Sequence, residues 1–401
     1  MRLKWKYLSN PFRTMCSAAA QLMDRWKRVR LIRRGRRRFR GDIRYDLDNV
    51  SRGFAPRLPN RYSDEILLDR ICTAYIRAVE RQQEAQSVYA PTPWWQEQTK
   101  GSLKPVMEAL RTRDLQALQR MYENFFRDPC SAGLIAPRRM SKDYFGATIE
   151  DAHRQHYLID SLYRIEHWKH KTGGCYKIND LAGPAIGNPF GVMFDGTLIR
   201  MGSDYQHYCA HRIRHLLAPG PATVMEIGGG YGGLAYYLLR DRPRTSYIDF
   251  DLPESCALTA YYILKAFPEL KVLLYGEART ASCAMSGTDV ALLPVFELAK
   301  MPGGSADLVF SSHSMSDLPT VAMDSYMSEI ARVSRGHFLY IGNSSSGRTI
   351  SMLAEKRKRS FQFAYRRPSG WYRHVVPGAS DMEILFEIES LEEVACESRS
   401  A

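Results

Sequence analysis

The stretch Thr223 to Glu254, TVMEIGGGYGGLAYYLLRDRPRTSYIDFDLPE, constrains the fold more than any other part of this chain. Val224-Met225-Glu226-Ile227 is short and mostly apolar, and it lies between Pro219-Gly220-Pro221 and a run of glycines, so it predicts a buried parallel strand. Leu234 to Leu239 predicts a helix, which puts Gly228-Gly229-Gly230-Tyr231-Gly232-Gly233 in a strand-to-helix turn. Glycine suits such a turn because a ligand can approach backbone that carries no Cβ. A second strand, Ser246 to Phe250, ends on Asp251, placed along the chain where an acid accepts hydrogen bonds from ribose hydroxyls.

Two cofactors compete for this unit. Gly228, Gly230 and Gly233 match the dinucleotide pattern G-x-G-x-x-G. Glu226, Gly228, Gly230 and Gly232 also match E-x-G-x-G-x-G, the first motif of class I methyltransferases that bind S-adenosylmethionine (SAM). SAM has no pyrophosphate; it presents an amino acid moiety, a sulfonium cation and an adenosine, so an acid just before the glycines is useful, and Glu226 is that acid. SAM is the favoured cofactor, with Glu226, Gly228, Gly230, Gly232 and Asp251 as its binding candidates. A turn that serves packing alone is the bland alternative.

The downstream chain predicts the rest of an α/β, doubly wound, Rossmann-like sheet. Pro253 to Phe267 reads as a helix, Lys271 to Tyr275 as a strand, and Asp289 to Phe296 as an extended segment whose loop borders the adenine. Asp307 to Phe310 reads as the next strand, and Asp324 to Val333 as a helix. His337 to Ile341 is another strand, a basic helix lies around Lys356 to Arg359, and a closing strand runs from Met382 to Ile388. In open parallel sheets ligands bind beyond the carboxyl ends of the strands, so the loop Ser311 to Ser316 faces the same crevice as Gly228 and Asp251. Ser312 on that loop is a further cofactor-binding candidate. Upstream, Tyr205 to Leu217 predicts a helix whose Arg212 either meets the SAM carboxylate or forms a structural ion pair.

The runs MEIGGGYGGLAYYLL, YIDFDLPE with TAYYIL, and ADLVFSSHSMSDLP, together with GPAIGNPFG and DYQHYCAHRIRHLL upstream, resemble the bacterial family of sugar O-methyltransferases. The resemblance spans roughly residues 90 to 375 and implies SAM as methyl donor and a sugar hydroxyl as acceptor. It also implies that Gly187-Asn188-Pro189 lies near the cofactor mouth. The single proline there argues against the Asn-Pro-Pro-aromatic loop of nucleic-acid N-methyltransferases, and no specific nucleic-acid partner is expected.

Methyl transfer to a hydroxyl benefits from a positioned base. His313, on the loop after the fourth strand of the doubly wound core, is the candidate, with Asp317 to orient it or to cap the next helix; a hydrogen-bonded structural histidine is the alternative. Divalent metal assistance through Asp317 and Asp324 is open but not favoured. Trp94-Trp95 reads either as a core anchor or as a stacking platform for a sugar. Histidines 153, 156, 167 and 170 sit at helical spacing without accompanying carboxylates, which favours surface or capping roles over metal ligation.

Composition enters through charge. The formal net charge of +13 resides in residues 1–45, where 15 Lys and Arg face only Asp24 and Asp42. Met15, Ala19, Leu22, Trp26 and Val29 recur there at helical spacing before a run of arginines. This basic arm reads as a solvated tail, a helix lying on an anionic membrane surface, or a polyanion-binding segment. Residues 46–200 predict a mainly helical domain that caps the cleft or forms a homodimer contact, and residues 201–401 the SAM-binding domain. The helices of residues 46–200 are expected at Tyr62 to Val79 with Ser63 as N-cap, at Ser102 to Ala109, at Asp114 to Phe126 and at His153 to His170, with Ala90 to Pro93 as a break.

No apolar run reaches membrane-spanning length, no secretory signal is apparent, and the 8 cysteines lack C-x-x-C pairing. A cytoplasmic location is expected, peripheral on the inner face of the membrane if the arm docks there. Rival functions are an NAD(P)-dependent oxidoreductase, for which Tyr261 and Lys265 give a Y-x-x-x-K spacing, and a non-catalytic methyltransferase-like scaffold.

Overall fold

The computed structural model describes residues 11–57, 64–135, 151–278, 287–371, 373–374 and 381–389. The chain opens with helices α1 (Pro11–Arg38), α2 (Asp48–Phe54), α3 (Glu65–Gln82), α4 (Pro93–Lys100), α5 (Lys104–Thr112), α6 (Leu115–Tyr122) and α7 (Asp151–Lys171). A two-stranded antiparallel hairpin, β1 (Gly191–Phe194) and β2 (Thr197–Arg200), and helix α8 (Ser203–Leu216) lead into the sheet. There follow β3 (Ala222–Ile227), α9 (Gly233–Asp241), β4 (Thr245–Asp251), α10 (Pro253–Ala266), β5 (Val272–Leu274), β6 (Val290–Pro294) and β7 (Ala306–Ser312). The chain then runs through α11 (Thr320–Val333), β8 (Ser334–Asn343), α12 (Ser344–Glu355), β9 (Phe361–Pro368) and β10 (Asp381–Ile388).

The large sheet has the order β5-β6-β4-β3-β7-β8-β10-β9. All pairings from β5 to β8 are parallel, and β10 is antiparallel to both neighbours. From β3 the chain adds β4 on one side, places β5 at that edge and β6 between the two, then crosses to the other side of β3 with β7. The crevice at the carboxyl ends of β3 and β7 is therefore the topological switch point, where ligands bind in such sheets. The expected doubly wound α/β fold is the observed one, with the closing strand β10 inserted antiparallel between β8 and β9.

Apolar residues cover both faces of the sheet. One cluster joins Val224, Tyr247 and Leu308 to Leu68, Tyr122 and Trp168 of the helical region, so helices and sheet share a core. The other packs Ile227, Phe250 and Val309 against Met327 and Ile330 of α11.

Local differences from the sequence reading have local causes. Pro93 begins a helix instead of merely breaking the chain, because a proline at the first helical position lacks an N–H that would have been unpaired anyway, and Thr92 caps the Trp95 N–H at 3.4 Å. The α3 N-cap is Asp64; Ser63 lies outside the described residues. Asp114 caps α6 through Ala117 N at 3.0 Å. The basic Lys356–Arg359 segment is a turn after α12, not a helix. The dinucleotide-enzyme spacing of Tyr261 and Lys265 serves a different purpose: both side chains bind Asp64, tying α10 to the start of α3.

The basic arm is docked over part of its length, contrary to a wholly solvated tail. Leu31, Gly35 and Phe39, spaced by four, are buried, with Gly35 tight against Ile159 of α7. Arg28 meets His153, Arg36 donates to Gln155 at 2.5 Å, and Arg38 pairs with Glu166 at 3.3 Å. Burying Leu31 and Phe39 contributes roughly 1.5–3 kcal/mol each. The docked stripe is not the predicted one, since Trp26 and Val29 face solvent.

Candidate active site

The glycine turn is held from below by acids. Glu226, near the end of β3, is buried and accepts a hydrogen bond from the Tyr247 hydroxyl of β4. Two residues of β4 on one side of the strand take the next places. Asp249 accepts from Gly229 N at 2.9 Å, and Asp251 accepts from Gly230 N at 2.9 Å and Leu252 N at 2.7 Å. Burial, opposed by Tyr247, pushes Glu226 up to about 7. Burial also pushes Asp251 up to about 6 against those two amides, and raises Asp249 well above the usual carboxylate range with the charges of Asp251 and Glu226 adding to it.

Two glycines in the turn are compelled by geometry. Gly228 has φ of 83°, and a Cβ there would overlap the Ser314 side chain. Gly230 has φ of 67°, and its nearest neighbour on the Cβ side is the Leu134 carbonyl at 3.8 Å, so its bare backbone faces open space.

That space is a cavity of about 620 Å³ at the switch point. Glu226, Gly228, Gly230, Asp251, Ser312 and His313 all line it. Gly232 does not; it caps α9 in the left-handed conformation and packs on Thr259 and Ile263. Leu252 and Tyr326 add apolar lining, as does Val295, which opens the 3-10 helix Val295–Lys300 where a loop bordering the adenine was expected after β6.

His313 follows β7 with φ of 61°, and its Nε2 lies 3.7 Å from Asp381 Oδ2 on the first residue of β10. Next to it the Tyr205 hydroxyl and Ser312 Oγ are 2.6 Å apart. Ser314 and Ser311 donate to the Ile227 carbonyl at 2.5 and 3.1 Å, which clips the loop to the end of β3. Asp317 ends the short 3-10 turn Ser314–Asp317; its side chain lies outside the described residues.

The helical region contributes part of the cavity wall. Trp94 and Trp95 both line it. Trp95 is buried and donates to Glu254 Oε1 at 2.5 Å, the anchor reading, whereas Trp94 is 43% exposed. From α7 come Asp160 and Arg164, paired at 3.0 Å; His374 Nε2 lies 2.7 Å from Asp160, and Arg164 reaches Asp204 at 3.3 Å. Burial alone would raise Asp160, but Arg164 and His374 hold it well below the usual carboxylate range. Nothing in the sequence ties Asp160, Arg164, Tyr205 or Asp381 to this site, because each is distant along the chain from the glycine motif; the i,i+4 spacing of Asp160 and Arg164 marks a helical ion pair but not what it faces. Asp249 was within reach: the run IDFD alternates, so its two acids share a face.

Three positions weighed from the sequence lie outside the cavity lining. Arg212 does not line the cavity. It pairs with the buried Glu383 at 3.1 Å and donates to the Tyr365 hydroxyl at 2.7 Å, because Glu383 sits on β10 facing α8 and draws in the nearest cation. Asn188 does not line the cavity either. Its Oδ1 accepts from Arg57 N at 2.8 Å and its Nδ2 donates to Asn124 at 2.9 Å, which makes the Gly-Asn-Pro loop a tie between segments of the helical region. Asp324 pairs with Arg357 at 2.8 Å on α11, outside the cavity lining. Among the described residues no group of three His, Cys, Asp or Glu side chains is arranged to hold a metal.

No family model and no curated protein matches the chain. Solved structures do. The pyocyanin biosynthetic protein PhzM is 15% identical over 47% of this chain and 56% of its own, with a TM-score of 0.31. A SAM-dependent methyltransferase from Aquifex aeolicus is 13% identical over 45% of this chain and 89% of its own, with a TM-score of 0.31. The N-methyltransferase NodS from Bradyrhizobium japonicum, solved with S-adenosyl-L-homocysteine, is 13% identical over 47% of this chain and 88% of its own, also with a TM-score of 0.31.

Proposed function

We propose that the chain is a SAM-dependent O-methyltransferase acting on a sugar hydroxyl of a glycan, glycolipid or glycosylated metabolite. The observation that carries the cofactor is the acid cluster beneath the glycine turn. In a dinucleotide site the turn amides are free for a pyrophosphate. Here the Gly229 and Gly230 amides are taken by Asp249 and Asp251, and Glu226 adds a third buried acid. Two phosphate charges would meet carboxylates, whereas SAM brings a sulfonium and an ammonium. Glu226 serves the amino acid end, and Asp251, whose oxygens keep lone pairs beside their amide bonds, serves the ribose. A cavity of about 620 Å³ lies in the range usual for small-molecule sites.

The acceptor oxygen attacks the methyl carbon in line with the breaking carbon–sulfur bond, and the hydroxyl proton passes to His313, which Asp381 orients. The protein's part is alignment and exclusion of water, for which the wall of α4 and α7 is suited. The sugar reading rests on the family resemblance and on the chemistry of that wall. An exposed indole face at Trp94 and the Asp160–Arg164 pair are the groups a polyhydroxylated ring binds. Calorimetry with SAM and NAD tests the cofactor: SAM binds and NAD does not, and the reverse result ends the proposal. Mass spectrometry of glycans from a deletion strain tests the acceptor through the loss of one methyl group, about 14 mass units, the increment by which replacing O–H with O–CH₃ changes a product.

A further inference from the structure

Helix α1 has two unlike sides. Leu31, Gly35 and Phe39 define the side docked on α7. On the opposite side, Trp26, Arg30, Arg33 and Arg37 fall within about 60° of one another at 3.6 residues per turn. Trp26 is 59% exposed and carries the Arg30 guanidinium 5.2 Å from its ring centre; Met23 and Val29 beside it are 57% and 41% exposed. Arg33, Arg34, Arg37 and Arg40 are exposed too, and among the described residues none of them or Arg30 takes part in an ion pair. Asp24 is the single acid in the sequence from Pro11 to Arg40. Solvation alone calls for arginines, but not for an indole, a thioether and a valine on the same surface.

We infer that this face of α1 adsorbs on an anionic lipid bilayer, with the arginines at the headgroups and Trp26 seated at the interface. Charge complementarity selects an anionic partner. The apolar trio selects a bilayer over a nucleic acid, because a phosphate backbone offers those side chains nothing to bury against, whereas the headgroup and acyl boundary does. Arginines interleave with the apolar residues, so the helix lies shallow on the surface instead of inserting. No described helix is long and apolar enough to cross a membrane. Because α1 is fixed to α7, adsorption holds the whole fold, and not a loose tail, against the lipid. This inference is independent of the methyl-transfer reading.

The test is co-sedimentation of the full chain with vesicles of phosphatidylglycerol and phosphatidylcholine in a roughly 1:3 ratio, compared with pure phosphatidylcholine. Each arginine near such a surface is worth about fivefold in partitioning. The protein binds the anionic vesicles only, R30E/R33E/R37E binds at least tenfold more weakly, and Trp26→Ala loses its fluorescence shift on binding. The matched reversal K356E/K358E/R359E, on the other basic surface segment, leaves binding unchanged. The milder R33Q/R37Q variant reports the same loss if the triple reversal fails to fold, as judged by its thermal midpoint. Wild-type binding by the arginine variants, an equal loss in the matched reversal, or displacement of the vesicles by a short DNA duplex at the same salt overturns the inference.

Discussion

The two ends of the cavity are built in opposite ways. The end assigned to the cofactor comes from a single run of sequence, residues 226 to 252, in which strand, turn and strand place three acids and a bare backbone within one βαβ unit. The part assigned to the acceptor is gathered from α7, α8 and the loop after β7, and polar pairs around it join residues up to 214 positions apart. The first can form as soon as the parallel strands pair. The second exists only when the helical region has docked, so a substitution that loosens docking affects the acceptor before it affects the cofactor.

Substitutions that separate the two ends sharpen this contrast. The largest effect is expected for His313→Ala, which lowers turnover by about 100-fold or more, the usual scale for a general base, while SAM affinity measured by calorimetry stays near wild type. A mild effect on turnover removes His313 from that role.

Glu226→Gln comes next. Loss of a hydrogen bond to a charged group weakens SAM binding by about tenfold or more at pH 8. It also flattens the pH dependence. Because Glu226 and Asp251 are pushed up to about 7 and about 6, they are protonated at pH 5.5 and ionised at pH 8, so wild-type affinity for the cationic cofactor rises across that interval. Stability of the unliganded protein runs the other way. A carboxyl whose folded value is raised binds its proton more tightly than the unfolded chain does, so the folded state loses stability as pH rises from the ordinary carboxylate range to about 7. Thermal melts of free and SAM-bound protein against pH check both signs, and equal slopes in wild type and Glu226→Gln break the cofactor assignment.

Asp160→Asn and Arg164→Gln are expected to raise the acceptor KM by roughly tenfold with little change in SAM affinity, the scale of one lost charge-assisted hydrogen bond. A loss of SAM binding instead shows that the two ends are not separable.

The smallest functional effect belongs to Arg212→Ala. SAM affinity stays within about twofold, while the thermal midpoint falls by the equivalent of about 1–3 kcal/mol, since buried Glu383 keeps Tyr208, Tyr365 and Arg367 but loses one of its two close cationic partners.

The legibility of each feature follows its range along the chain. The sheet strands other than β9, the helix after the glycines and the carboxylate at Asp251 were readable because strand length, glycine and alternation are local constraints; β9 was not read. Gly228 and Gly230 were readable as conformational necessities, though only the fold reveals that Ser314 excludes a Cβ at Gly228. Arg212 stayed open between the SAM carboxylate and a structural ion pair because a helical wheel gives the direction of a side chain but not the element that will stand opposite it. Glu383, 171 positions away, decided that. The arm shows the same limit: its spacing announced a helix, but which stripe would be buried depended on the surface of α7.

By itself, then, the sequence determined a doubly wound sheet, a glycine turn after β3 and acids close to that turn, since each follows from covalent geometry and short-range sterics. Only the tertiary structure decided that Asp249 and Asp251 consume the turn amides, that α7 brings Asp160 and Arg164 to the cavity wall, and that α1 keeps Trp26 and its arginines outward. Those outcomes depend on which surfaces bury together, and burial is a property of the assembled chain that no local run of residues contains.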